Sequence, residues 1–241
     1  MNGTVHTDRE AFREVAAAAP AGARVPVEVR VAVDDPFDAF RRARDGPGGF
    51  FYETTGGQSG WGYFGIDPAE RLTVSESATV ADSERGGETA GSTGDYRRPT
   101  PTLAALEGVV DGETLVRGDC SVPYPCGVFG WLSYDVAREL ESFPAAPPDG
   151  PGAVDDRGLP QLQAALFDRV AAWECPVETG SDESVELRVT ACPVVRAAGD
   201  ADRLDDVFES GVGRARELID RIRTGDPAVG PPPTGEAADR G

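Results

Sequence analysis

The side chains of this chain that could do chemistry are few, and their spacing excludes most reactions. All of its 23 basic residues are arginine. It therefore has no lysine for a Schiff base, a phosphate-loop anchor or a kinase-type ion pair. The only histidine, His6, lies in a terminus expected to fray, which leaves a Ser-His-Asp or Cys-His relay without a base. No Gly-x-Ser-x-Gly occurs. Cys120, Cys126, Cys175 and Cys192 contain no C-x-x-C pair, so a zinc site has poor support. Only Cys120 and Cys126 are near enough in sequence for an easy bridge, and the four read as small buried hydrophobes. Gly56-Gly57 reads as a hairpin turn, not a phosphate cradle. In so acidic a chain, neighbouring carboxylates carry no signal for acid–base catalysis or for Mg²⁺. No residue is assigned as catalytic, and none as a metal ligand.

Charge narrows the partners. The 241 residues hold 42 acidic side chains against the 23 arginines, a formal charge of −19. Broad cationic docking to nucleic acid or anionic lipid is excluded. Acidic, lysine-free composition fits a chain adapted to high salt, where carboxylates keep the surface hydrated and salt screens their repulsion. No run approaches the roughly 20 apolar residues that span a bilayer, and Met1–Val15 lacks a basic segment followed by an apolar one. The expectation is a soluble, cytoplasmic chain.

The elements that must position any site are legible from periodicity. Val25, Val27, Val29, Val31 and Val33 alternate with other residues, as in a strand with one buried face. Asp35-Pro36 then caps a short helix whose Phe37, Phe40 and Ala43 share a face. Strands are expected at 50–54, 60–66 and 71–75, forming an antiparallel meander. Residues 76–101, rich in Ser, Thr, Gly and charge, read as a mobile loop. A helix at 102–110 follows. The apolar run 127–134 reads as a central strand, with Gly127 and Gly130 marking close approach of a neighbour and Asp135 capping the next helix. Alternation over 161–173 and 185–195 predicts a wide antiparallel pair, and Leu204 to Ile222 form one helical stripe. Residues 225–241 read as a Pro/Gly-rich linker or tail. Strands and helices in mixed order indicate an α+β fold, mostly antiparallel sheets packed with helices, in a single domain over 1–224.

Three segments carry a resemblance. Gly127-Val128-Phe129-Gly130-Trp131-Leu132-Ser133-Tyr134-Asp135-Val136-Ala137-Arg138-Glu139-Leu140-Glu141 resembles the "G-x-x-G-Y-x-S-Y-D-x-x-R-x-x-E" signature in the N-terminal domain of chorismate-using synthases, component I of anthranilate synthase and of aminodeoxychorismate synthase. Phe51-Tyr52-Glu53-Thr54 resembles that domain's "L-L-E-S" strand. Gly60-Trp61-Gly62-Tyr63-Phe64-Gly65-Ile66-Asp67-Pro68 is similar to its "R-Y-S-F-I-G-x-D-P". Leu159-Pro160 with Phe167-Asp168 is a weaker match of the same kind.

The resemblance implies that chorismate, Mg²⁺ and the acid–base residues belong to a C-terminal catalytic domain outside this sequence, with no cofactor in the present chain. It implies two partners, that catalytic domain and a glutamine amidotransferase subunit. It also implies a tryptophan-type pocket at Tyr52, Glu53 and Thr54, where a carboxylate meets an ammonium and a hydroxyl meets the ligand's polar atoms. Gly127, Gly130, Ser133, Tyr134, Asp135 and Arg138 are expected to be architectural, with the aromatics in the core. Thr54 stands for the usual Ser and Gly60 for a usual basic residue, which argues against tryptophan capture. Together with a short hairpin, that departure favours aminodeoxychorismate synthase over anthranilate synthase. The other reading is a stand-alone regulatory module that binds tryptophan or another amino acid.

Overall fold

The computed structural model describes residues 3–46, 48–75, 78, 100–140, 159–177, 184–196 and 201–228. They fall into two compact units. The larger comprises residues up to 68, 115–127 and from 167 onward; the smaller comprises 69–114 and 128–166.

The larger unit is built on a six-stranded antiparallel sheet. Its strands are β1 (Thr4–Val5), β3 (Val27–Val33), β4 (Phe50–Tyr52), β5 (Gly60–Gly65), β9 (Arg169–Cys175) and β10 (Val185–Ala191). Their spatial order is β1-β3-β10-β9-β5-β4. A two-stranded ribbon joins β2 (Ala23–Arg24) to β11 (Val194–Val195). On β3, Val27, Val29 and Val31 are buried, and so is Glu28 between them. Glu28 is tolerated because it accepts from Arg30 Nε at 2.7 Å and Ser121 Oγ at 3.0 Å. Helix α5 (Ala201–Thr224) buries Leu204, Phe208, Val212, Ala215, Leu218, Ile219 and Ile222, one stripe at helical spacing. Helix α2 (Pro36–Ala43) starts as expected, with Asp35 accepting from the Asp38 amide. Ala39, Phe40 and Ala43 are its buried face, whereas Phe37 is half exposed and meets Phe51 edge-on.

The smaller unit holds a three-stranded sheet, β6 (Glu70–Val74), β8 (Leu162–Phe167) and β7 (Gly127–Leu132), in the order β6-β8-β7. With it are α3 (Pro101–Asp111), a 3₁₀ turn (Tyr134–Val136) and the short α4 (Ala137–Leu140). The fold is α+β, as the mixed order of elements implies.

Several local expectations change. β4 and β5 pair, but β6 leaves for the second sheet, so there is no continuous meander. The alternation over 161–173 is one run in sequence but two strands in space, broken at Asp168, whose carboxylate is drawn to Arg24 and Arg214. The N-terminus is held, not frayed: β1 pairs with β3 and His6 Nε2 lies 2.9 Å from Arg30. Helix α1 (Arg9–Ala18) was not anticipated, although Asp8 caps it and Phe12 and Ala16 bury one face. Among the described residues β7 is an edge strand, not a central one, because the order β6-β8-β7 gives it one neighbour. Apart from Ala78, Thr100 and Pro101, the loop expected at 76–101 lies outside the described residues, as does the tail beyond 228.

Candidate functional site

The hairpin β4–β5 carries the expected ligand residues, and its seat is aromatic. Phe51 stacks on Trp173 with centroids 5.3 Å apart, and Phe50 meets Phe167 edge-on at 4.7 Å. Trp173 is wholly buried and fits only because position 62 is glycine: a Cβ there would lie 2.1 Å from the indole. Strand alternation then sends Trp61 and Tyr63 to the opposite face. Trp61 lies under the Arg188 guanidinium, 4.9 Å from its centroid, and Arg188 is held by Glu174 at 2.5 Å and Ser121 at 3.1 Å. Tyr63 is buried, and burial pushes its phenol up to about 12.

The structure brings Tyr52, Glu53 and Thr54 together where β4 runs into the turn. Tyr52 pairs in register with Tyr63. Tyr52 and Glu53 are exposed, while the Thr54 hydroxyl donates to the Trp61 carbonyl at 3.1 Å. That bond commits Thr54 to bracing the hairpin.

The signature block occupies β7 and the turn after it. Gly130 is a close-approach glycine, as expected: a Cβ would fall 2.3 Å from the Gln163 carbonyl oxygen on β8. The Trp131 indole donates to Gln163 Oε1 at 3.2 Å, and the Ser133 amide donates to the Gln161 carbonyl at 2.8 Å. The cap of the following turn is Ser133, whose Oγ accepts from the Asp135 amide at 3.2 Å; Asp135 itself is two residues too late for that role. Tyr134 is 100% exposed, so it fills no core, and Trp131 and Leu132 are half exposed. Gly127 opens the strand, and the side chain of Arg138 lies outside what is described.

One buried polar contact escaped the sequence reading. Thr102 is fully buried, and its hydroxyl and amide donate to the two oxygens of Glu139 at 2.6 and 3.1 Å. This ties the start of α3 to α4. A Thr directly before the apolar helical run that starts at Leu103 was visible; that its acid would come from 37 positions downstream was not.

All four cysteines are free thiols, so Cys120 and Cys126 are not bridged. Burial raises the Cys120 thiol to about 11 and lifts those of Cys175 and Cys192, which keeps them protonated and unreactive at neutral pH. Among the described residues no cluster of three or more His, Cys, Asp or Glu is placed to hold a metal ion. No helix among them is long and apolar enough to cross a membrane.

No family-level profile matches the chain. Individual proteins do. Over 229 residues, 95% of this chain, it is 51% identical to an anthranilate synthase component 1 of Haloarcula marismortui, and over 230 residues 52% identical to a second from the same organism. It is 30% identical over 216 residues to that of Mycolicibacterium smegmatis. The chain is homologous to anthranilate synthase component 1. It spans about 40% of the length of the Haloarcula proteins.

The two departures in the hairpin, Thr54 and Gly60, lie in contact. A Cβ on Gly60 would lie 2.5 Å from Thr54 Oγ1 and 2.9 Å from its methyl carbon. The Thr54 hydroxyl and Cβ, which a serine would also carry, already take the space a side chain at 60 would need. A side chain at 60 therefore requires residue 54 to move.

Proposed function

We propose that this component I homologue is the non-catalytic region of a synthase that aminates chorismate, and that it supports a catalytic part through its smaller unit. The observation that carries the reading is the edge strand β7, which presents Trp131 and Leu132, followed by Tyr134, to solvent. Leu103, Val110 and Leu159 of the same unit are exposed as well. Apolar surface left open by so small a unit marks a surface that another body covers.

Anthranilate is the product favoured here, because the relatives carry that activity in their names. The expectation of aminodeoxychorismate rested on Gly60 and the short hairpin, and neither bears on the amination chemistry. In the complete synthase, Mg²⁺ would hold chorismate in the catalytic part and a glutamine amidotransferase would supply ammonia. The reading as a separate tryptophan-binding module has less support: Thr54 is engaged by the hairpin and Gly60 offers no cation to a ligand carboxylate.

The test supplies this chain in trans to the remaining portion of a Haloarcula component 1, with chorismate, ammonium and Mg²⁺. Fluorescent anthranilate is expected only when both pieces are present. Product from this chain alone, or an equal rate from the remainder alone, contradicts the proposal.

A further inference from the structure

One cleft in the larger unit gathers the charge that the composition of the chain opposes. Against an overall charge of −19, a cleft of about 380 Å³ is lined by three guanidiniums, Arg24, Arg196 and Arg214. Asp168 at its base accepts from Arg214 NH1 at 2.9 Å and NH2 at 2.5 Å, and from Arg24 NH1 at 3.4 Å. Asp168 and Arg24 are shielded, with side chains 13% and 12% exposed. The contacts place one carboxylate between two cations. Arg214 uses only two of the five N–H groups of its guanidinium there. Arg196 is exposed and makes no ion pair with any described residue. Asp206 is the other acid lining the cleft, so three positive charges face two negative ones.

The remaining walls narrow the ligand. Val194 and Val207 offer apolar surface, and Ser210 adds a hydroxyl. The volume suits a small organic molecule. A surplus of one positive charge matches a monoanion, and Asp206 opposes a dianion. We propose that this cleft binds a small organic carboxylate, its oxygens held by Arg196 and Arg214 and its apolar body against Val194 and Val207. Guanidinium forks fit planar carboxylates bidentately, which makes arginine the right cation for the task.

Titration of the full chain with benzoate, at constant chloride, tests this by calorimetry. Saturable binding is expected, weakened about tenfold in Arg196→Gln, as befits loss of one charged donor pair. Arg196 is exposed, and circular dichroism checks that the variant is folded. Asp206→Asn is expected to bind benzoate several-fold more tightly, since it removes a like charge. Inorganic phosphate, a dianion with no apolar body, is the control and is expected to bind more weakly. No saturable benzoate binding, binding unchanged in both variants, or phosphate binding as tightly as benzoate each overturns the assignment.

Discussion

The two units of this molecule solve the burial problem to different degrees. Among the described residues, the larger unit closes two apolar clusters. One is centred on Trp173, Phe64, Leu187 and Ile219, the other on Phe12, Val27 and Phe208. Among the described residues, the smaller unit has a cluster of Val74, Leu162 and Ala164 with a few half-buried neighbours, yet carries six of the ten exposed large hydrophobics. Its most recognisable residues are the least explained by its own packing. Trp131 and Tyr134, which would be core in a self-sufficient domain, face solvent. The block that resembles the family signature is thus largely exposed in this chain, which is what the proposed docking role requires.

Substitutions can sharpen or break this contrast. The largest effect is expected from Trp173→Ala, which empties the center of the main cluster: about 3–5 kcal/mol lost in urea unfolding. A loss below about 1 kcal/mol would show that the larger unit is not the stable one. Thr102→Val leaves Glu139 without its hydroxyl donor and is expected to cost about 1–3 kcal/mol. Faster hydrogen exchange should be confined to the smaller unit, and spreading into β9 or β10 would deny that the units are separate in stability.

Alkaline pH is expected to act on the larger unit first. Tyr63 is raised from 10.0 to about 12 and Cys120 from 9.0 to about 11, both by burial. Groups raised in the folded state stabilise it below their unfolded values, and that contribution is lost as pH climbs to the folded ones. Stability should therefore fall between pH 9 and 12, with one tyrosinate appearing late in ultraviolet titration. Tyr63→Phe should remove that late step. The smallest effect is expected from Tyr134→Ser, within about 0.5 kcal/mol in the isolated chain, since the ring touches no core. A larger loss would mean the exposed block already packs within this chain.

Period and caps made much of the scaffold legible. The stripe from Leu204 to Ile222, the Asp35-Pro36 helix start and the close approach at Gly130 are local signals, and each is realised. What failed was long-range. Alternation cannot say that Asp168 interrupts one strand to meet Arg24 and Arg214, because the arginines lie 144 and 46 positions away. Apolar character in β7 was read as burial in this chain, when such residues serve any interface. In the hairpin, Thr54 and Gly60 were legible as separate departures; their contact across the turn needed coordinates.

The central claim is that β7 and the turn after it form a docking surface for the catalytic part. Its direct measurement is hydrogen–deuterium exchange over residues 127–136, in this chain alone and mixed with the remaining portion of a Haloarcula component 1. The account expects slowed exchange across Trp131–Tyr134 on mixing, with β3 and β10 unchanged. Unaltered exchange in that segment, in a mixture that makes anthranilate, would contradict it.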